Sequence, residues 1–346
     1  MKTAIKMRDI AGELGVSTVT VSKALAGKDG VGRDLRDRIL QKAQELGYVY
    51  NSLPRNMLKG RHYNIGILIA AKYLGESSFY WVFYQELLLA LKQSPYLGVL
   101  EIISPEDEAK NTVPALVAAR KVDGVILLGQ MPAPYITMLT TQITECVFLD
   151  FYSDIGSRDC VASNNFLGSY NLTKLLIDAG HKKIGFIGST AATTSILDRY
   201  LGFCKAMMEA GLPVDPAIED RDCQGMYIKL MINPAVHTAY VCNNDQIAGI
   251  LINQLRESGL KIPDDVSIVG FDNESELVTG GVGVTSLALN TAGMSELTVN
   301  LLIQQIESPA YTVKGRSFID GRIVIKQSIA APRKEDRPAA TAYRQG

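Results

Sequence analysis

The sequence predicts a small all-α headpiece followed by an α/β body built from two doubly wound parallel sheets. Three observations lead to this fold class. Two short amphipathic helices flank a glycine near the amino terminus, and short apolar runs alternate with helical stretches from residue 64 onward. The number of these strand and helix units also exceeds what one sheet holds. A chain of 346 residues is long enough for two or three domains with buried cores.

The first two helices lie between Met7 and Leu25. Apolar residues recur at helical spacing in both, and Gly15 between them has the backbone freedom for a tight turn. Ser17 suits the N-cap of the second helix. The predicted inward-facing residues are Ile10, Ala11, Leu14, Val21, Ala24 and Leu25, and the outer face carries Thr18, Val19, Ser22 and Lys23. The pattern predicts a helix-turn-helix, and the alternative is a helical hairpin inside a larger core.

A third amphipathic helix is predicted over residues 34–46, and Gly47 suits its C′ position. Charge separates this region from the rest of the chain. Residues 1–62 carry 12 Lys and Arg against 6 Asp and Glu, which gives a net charge of +6, whereas the remainder carries −7. A basic headpiece on an acidic body is typical of a DNA-binding module attached to another domain.

The body is predicted from alternating apolar and amphipathic segments. The first strand covers residues 64–69, and a helix follows over 79–92. Further strands are predicted at 99–103, 125–128, 147–149, 184–187, 240–242 and 268–271, and further helices at 171–179, 201–210, 245–258 and 295–306. This order predicts parallel sheets in two similar lobes, since parallel strands need helical crossovers.

The headpiece sequence resembles the lactose/galactose-repressor (LacI/GalR) family of bacterial transcription regulators. The matching residues are Asp9-Ile10-Ala11, Gly15-Val16-Ser17, Thr20-Val21-Ser22, Leu25, Val31, Arg36, Ile39, Leu46-Gly47-Tyr48 and Asn51. The resemblance continues to about residue 332. It implies a body similar to a periplasmic sugar-binding protein, with an effector between two lobes.

The resemblance also implies the domain boundaries. They are a helix-turn-helix DNA-binding headpiece over 1–50, a hinge helix or linker over 51–61, an effector-binding and dimerisation body over 62–332, and a flexible tail over 333–346. Lobe 1 would span about 62–158 and 290–318, and lobe 2 about 159–287 and 319–332. Crossovers between the lobes are expected near 157–163, 286–290 and 318–321.

DNA contacts are expected from the second helix and the hinge. Thr18, Val19 and Lys23 would meet base edges in the major groove of a double-stranded operator. Phosphate contacts are expected from Ser17, Thr20 and Ser22. By position, Met57 and Leu58 would insert into the minor groove from a hinge helix. Pro54 departs from the family pattern, and a plain flexible linker is the alternative.

Effector contacts are expected where strands end. By resemblance, the cleft positions that hold the effector are Phe79, Asp150, Ser195, Arg199, Asn244 and Asp272. Aspartate accepts hydrogen bonds from adjacent hydroxyls, Arg and Asn offer donors, and an aromatic ring supports a sugar face. Strand-end capping or packing between domains is the alternative for Asp245 and Asp272. Cys223 stands where several sugar-binding members have an aromatic residue, so the effector's identity is not carried over.

Other function classes lack their motifs. No phosphate-binding glycine loop follows a strand, no metal-ligand spacing appears among the three histidines, and no apolar run is long enough to span a membrane. We therefore expect no enzyme activity, no cofactor and no metal. The five scattered cysteines and the lack of a signal peptide favour a cytoplasmic protein.

The sequence thus predicts a homodimeric repressor that binds a pseudo-palindromic operator and responds allosterically to a sugar or sugar derivative. Two alternatives stay open. One is a soluble sugar- or nucleoside-binding protein without DNA regulation, and the other is a regulator that responds to a nucleoside or purine.

Overall fold

The headpiece and the body are separate units of the chain, divided after His62. The computed structural model describes residues 5–48, 61–74, 79–222, 225–274 and 281–333. The predicted hinge residues Met57 and Leu58, together with Pro54, Cys223 and the tail beyond residue 333, lie outside the described residues.

The headpiece is a three-helix cluster. Its helices are α1 (Met7–Leu14), α2 (Thr18–Leu25) and α3 (Arg33–Glu45). Gly15 ends α1 in the left-handed conformation with φ 62°, and the Ser17 hydroxyl accepts the Thr20 amide at 3.0 Å, as expected of an N-cap. The buried core consists of Ile10, Ala11, Val21, Ala24, Ile39 and Ala43, with Leu14 and Leu25 packed at its edge. This arrangement leaves one face of α2 outside the core.

The body is an α/β unit. Its described strands are β1 (Asn64–Ala70), β2 (Leu97–Ile103), β3 (Gly124–Leu128), β4 (Cys146–Leu149), β5 (Asp159–Ser163), β6 (Ile184–Ile187), β7 (Ala239–Cys242), β8 (Ser267–Phe271), β9 (Thr285–Ala288), β10 (Arg316–Ile319) and β11 (Arg322–Val324). Its described helices are α4 (Phe79–Leu91), α5 (Pro105–Lys110), α6 (Ala115–Ala118), α7 (Ala133–Gln142), α8 (Asn165–Asp178), α9 (Thr194–Glu209), α10 (Asp245–Glu257) and α11 (Thr291–Glu307).

Two sheets form the centres of two lobes. The first sheet has the parallel order β10-β5-β4-β3-β1-β2, and the second has the order β11-β9-β8-β7-β6. In the second sheet, β11 pairs antiparallel with β9, whereas the other described pairs are parallel. Helices cover both faces, so the strands are apolar on both sides. In β7, for example, Tyr240 and Cys242 face the α10 side, and Ala239 and Val241 face α8 and α9.

The chain passes between the sheets after β5, β9 and β10. The first passage differs from our prediction, which assigned residues 159–163 to a crossover and to lobe 2. The structure pairs β5 with β4 and β10 in the first sheet instead. The reason is the buried Asp159 carboxylate, which ties the start of β5 to α11 and to the segment that follows it. It accepts from Gln305, Tyr311 and the amides of Lys314 and Gly315.

Three helices begin earlier than predicted. We expected them at residues 171, 201 and 295, and they start at Asn165, Thr194 and Thr291. Each has a capping side chain just before its first residue, from Asn164, Thr193 and Asn290 respectively. Their first turns are rich in small and polar residues, which weakens the apolar period that the prediction used.

Candidate functional site

The outer face of α2 presents a small set of side chains to solvent. Thr18, Val19 and Lys23 are exposed, and Thr20 and Ser22 are partly exposed. Val19 is 63% exposed although it is apolar, so core packing does not account for it. The Ser17 and Thr20 hydroxyls lie 2.9 Å apart at the start of the helix, where Ser17 Oγ also accepts from the Thr20 amide. The helix therefore offers apolar, hydroxyl and cationic groups together on one accessible surface.

The second candidate site lies where strands of the two sheets end. Asp150 follows β4 in the first lobe, Asp272 follows β8 in the second lobe, and Arg199 comes from α9. The nearest side-chain atoms of Arg199 and Asp272, Nη2 and Oδ1, are 3.6 Å apart. The carboxyl ends of parallel strands are where ligands bind in open α/β folds.

Arg199 is held on several sides. Its Nε donates to the Asn165 side chain at 2.8 Å, and its Nη1 donates to the Asn243 carbonyl at 2.5 Å. Its guanidinium carbon lies 3.8 Å from the centre of the Phe271 ring, which is a cation–π contact. Nη2 faces Asp272, so the guanidinium can still donate to another group.

Asp150 has one carboxylate oxygen bonded and one without a partner. The Tyr80 hydroxyl donates to Oδ2 at 3.0 Å, whereas the buried Oδ1 has no hydrogen-bond partner among the described residues. Its backbone φ is 69°, in the left-handed region. Burial raises the pKa of Asp150 to about 6, against the opposing influence of Arg199 and the Tyr80 bond.

Asp272 shares these properties. Its φ is 91°, and its buried Oδ1 makes no hydrogen bond within the described part of the chain. Burial raises the pKa of Asp272 to about 7, where the Arg199 charge lowers it and the Asp150 charge raises it. The next residue, Asn273, also carries a buried Oδ1 for which the described residues provide no partner. Together with Asp150 Oδ1, these atoms are three acceptors that a donor-rich molecule could satisfy.

The other predicted contacts occupy different places. The Ser195 hydroxyl donates to the Asp150 carbonyl at 3.1 Å, across the two lobes. Asn244 caps α10 through the Ile247 amide and donates to the Tyr227 hydroxyl at 3.1 Å. Phe79 begins α4 beside Tyr80, with 4.9 Å between ring centres. The structure thus pairs Asp150 with Ser195 and Arg199 with Asp272, whereas Asn244 and Phe79 lie next to partners of these residues. Their roles in binding stay predictions.

Sequence reasoning placed an aromatic platform at the start of α4, but it did not identify which ring there contacts Asp150, nor that Tyr73 packs beside it. Tyr80 contacts Asp150 directly, and its ring packs against Tyr73 with 4.7 Å between ring centres. In the second lobe, the Arg221 guanidinium lies 5.3 Å from the centre of the Tyr227 ring, and the two residues form an antiparallel β-bridge. Tyr227 is a second aromatic residue that the sequence analysis did not assign to the site.

The start of α9 connects the lobes. Gln130, after β3, accepts from the amide and hydroxyl of Thr194 at 2.8 and 3.1 Å. The Tyr152 hydroxyl donates to Asp198 at 2.8 Å. A cavity of about 220 Å³ beside these contacts is lined by Gln130, Phe151, Tyr152 and Thr194, among others. One helix therefore carries both Arg199 and several contacts between the lobes.

Within the described residues, no group of three or more His, Cys, Asp or Glu side chains is placed to hold a metal ion. No helix in the same part of the chain is long and apolar enough to cross a membrane.

A helix-turn-helix headpiece joined to a two-lobed α/β body is the architecture of bacterial DNA-binding regulators that respond to small molecules. Residues 6–51 match the family of bacterial regulatory proteins of the lacI type, and residues 173–329 match the periplasmic binding protein-like domain. The chain is 30% identical over 332 residues to the HTH-type transcriptional regulator RegA of Clostridium saccharobutylicum, covering 91% of this chain and 97% of RegA. The chain belongs to the lacI family of bacterial regulatory proteins and is a DNA-binding transcription regulator.

Solved structures show the same fold. The lac repressor dimer bound to operator and the anti-inducer ONPF aligns with a TM-score of 0.75 at 21% identity, covering 95% of this chain and all of that one. The complex of the transcriptional regulator CelR with cellobiose aligns with a TM-score of 0.65 at 21% identity, covering 94% and 99%. The predicted family and fold class are confirmed.

Proposed function

We propose that this chain is a cytoplasmic repressor that binds a pseudo-palindromic operator as a homodimer. A neutral, hydroxyl-rich effector between the lobes changes its operator affinity. The observation that carries the effector class is the set of three buried acceptor oxygens, on Asp150, Asp272 and Asn273, that accept no hydrogen bond from the described residues.

The DNA half of the proposal rests on α2. Thr18, Val19 and Lys23 share its exposed face, and the major groove admits a helix that carries such side chains to base edges. Lys23 would donate to guanine, and Val19 and Thr18 would contact thymine methyls. Ser17, Thr20 and Ser22 would bind phosphates and fix the register. Met57 and Leu58 would contribute minor-groove contacts from the hinge.

The homodimer is supported by apolar side chains at one edge of the first sheet. Leu97 and Ile102 on the edge strand β2 are 63% and 50% exposed, and Trp81 and Leu89 on α4 are 40% and 50% exposed. An unpaired strand edge with exposed apolar residues is a surface that proteins cover. Two headpieces in one dimer would match the two half-sites of a pseudo-palindrome.

The effector's chemistry follows from the charges of the cleft. While at least one of Asp150 and Asp272 is ionised, the two carboxylates balance or exceed the single positive charge of Arg199, which disfavours phosphates and carboxylates. Hydroxyl groups donate to the unpaired oxygens and accept from the guanidinium. The tyrosine rings of Tyr73 and Tyr80, with Phe79, offer an apolar surface for one side of a sugar ring. A disaccharide has this chemistry, and CelR is named with cellobiose.

We further propose that the cleft is not catalytic. Ser195 donates to a carbonyl instead of to a base, so no nucleophile is activated there. His181 is buried between Thr238 and the Ala330 carbonyl, in contacts that join the segment after β11 to the rest of the second lobe. Neither arrangement offers a positioned acid or base beside the carboxylates.

A nucleoside or purine effector is the second candidate. The paired rings of Tyr73 and Tyr80 favour it, because a planar base stacks on aromatic faces more readily than a sugar does. Amino groups on such a base would also donate to Asp150 and Asp272.

The test is a thermal-shift panel on the full chain with neutral sugars, sugar phosphates, nucleosides and purines. A binding compound raises the melting temperature by mass action. The shift should occur with a neutral sugar, disappear in Asp150→Asn and persist in Glu257→Gln, which removes an exposed carboxylate on α10. The same compound should change the affinity for operator DNA in a titration. A shift with phosphorylated sugars alone would contradict the proposed effector class.

A further inference from the structure

The two residues that follow β8 have an unusual backbone. Asp272 and Asn273 both have positive φ angles, of 91° and 51°, although neither is glycine. Such conformations persist only where surrounding bonds fix them, and they concentrate at sites of function. The bonds around this dipeptide therefore determine where the Asp272 carboxylate lies.

Three consecutive amides of this turn are bonded. The Asp272 amide donates to the Leu287 carbonyl at 2.9 Å, the Asn273 amide to Ser286 Oγ at 3.0 Å, and the Glu274 amide to Asp245 Oδ2 at 2.9 Å. The Ser286 hydroxyl in turn donates to Asp245 Oδ1 at 2.7 Å. The two side chains thus form one network that holds two of the three amides.

This network is enclosed. Ser286 is fully buried on β9, and Asp245 is 3% exposed at the first residue of α10. A Cβ atom on Gly270 would lie 2.0 Å from Asp245 Oδ1, so the carboxylate needs glycine at that position. Both oxygens of Asp245 accept hydrogen bonds from the network, in contrast to Asp272, whose Oδ1 accepts none from the described residues.

We propose that Asp245 and Ser286 are positioning residues that hold Asp272 in its left-handed conformation and so place its carboxylate beside Arg199 in the cleft. They act through Asp272 and do not touch the effector. The proposal rests on the effector site proposed above, because it assigns Asp272 to that site.

The test uses full-length protein and needs no effector. Hydrogen–deuterium exchange of the segment that contains residues 272–274 is compared between the parent chain and Ser286→Ala. Loss of the hydroxyl should speed exchange of this segment about tenfold, as expected for the loss of one hydrogen bond. A crystal structure of Ser286→Ala should show Asp272 displaced from Arg199. Ser286→Thr, which keeps the hydroxyl, should retain the slow exchange.

Ser295→Ala is the matched control. Ser295 is a fully buried serine on α11 whose hydroxyl has no partner among the described residues, so its loss should leave the segment unchanged. Gly270→Ala is a second route, because the new methyl group pushes the Asp245 carboxylate aside without removing a polar group. It should speed exchange of the same segment.

Two results would overturn the proposal. One is an unchanged exchange rate and an unchanged Asp272 position in both Ser286→Ala and Gly270→Ala. The other is faster exchange throughout the second lobe by the same factor, which would mean that the network only stabilises the lobe. Failure of every sugar in the thermal-shift panel would instead contradict the effector assignment and leave the positioning result intact.

Discussion

The two proposed recognition regions of this molecule are built in opposite ways. On α2, Thr18, Val19 and Lys23 project into solvent, and the core beneath them uses other residues. In the cleft, Asp150 and Arg199 are themselves buried, and Arg199 is bonded to the surrounding backbone and side chains. Substitutions on α2 should therefore alter binding alone. Substitutions in the cleft should alter stability and binding together.

The largest effect should come from Arg199→Ala. It removes a buried cation and leaves the Asp272 carboxylate and the Asn243 carbonyl without their partner, so the free energy of unfolding should fall by about 3 kcal/mol. The effector response should be lost as well. Urea unfolding and operator titration with effector would measure the two changes. Unchanged stability would mean that the cleft residues, like those on the outer face of α2, contribute to binding without stabilising the fold.

Lys23→Ala tests whether a substitution on the outer face of α2 alters DNA binding without altering stability. It should cost about 1–3 kcal/mol of discrimination at one base pair in each half-site, because one direct base contact is lost. The free energy of unfolding should stay within about 0.5 kcal/mol of the parent, as for most surface substitutions. A gel-shift series with operator variants would measure the loss of base discrimination, and urea unfolding would measure the stability. Lys28→Ala removes the same charge outside α2, so it should weaken binding equally to all sequences.

Ser17→Ala tests a residue that combines both properties, since it is exposed and also stabilises the fold. Ser17 is exposed like the recognition residues, yet its hydroxyl caps α2. The headpiece should lose about 1 kcal/mol of stability, and Ser17→Gly should lose only a few tenths. Thermal unfolding of the headpiece signal by circular dichroism would measure the difference. Equal losses in both variants would exclude a capping contribution from the hydroxyl.

The last prediction concerns how the free energy of unfolding depends on pH through the buried carboxyl of Asp150. Burial raises the pKa of Asp150 from an ordinary value of 3.8 to about 6, so the folded chain holds this proton more tightly than the unfolded chain. The stability from this group is complete below pH 3.8 and is lost as the pH rises through 6.

Asp150→Asn stays neutral at every pH. Its stability relative to the parent should therefore increase between pH 4 and pH 8, while effector binding weakens at least about tenfold. Denaturant unfolding at several pH values would measure the first change and calorimetry the second. A relative stability that falls with rising pH would show that the carboxylate is stabilised in the fold.

The headpiece was predictable because its information is local. Ser17, Gly15 and the apolar spacing of α2 act over a few residues, and the same residues form the cap, turn and core in the structure. The apolar strands were equally visible. β5 was not, because its burial depends on bonds from Asp159 to residues more than 140 positions away.

For the cleft, the sequence predicted which residues follow strands but not how those residues contact one another. That Asp150 and Asp272 follow strands is visible in sequence, and the family resemblance added Ser195 and Arg199. The arrangement of their contacts was not visible. Tyr80, Asn165 and Asn243 each hold one of these residues from another element, and no spacing along the chain encodes that meeting.

The beginning of α9 has a consequence for anyone who would reprogram this protein as a biosensor. Thr194, Ser195 and Asp198 bridge the lobes within five residues of Arg199, which lies in the cleft. A library that randomises this turn to change which compound is detected would also change the concentration at which the sensor switches. Selection for a new compound would therefore need a second round, directed elsewhere in the body, to restore the threshold.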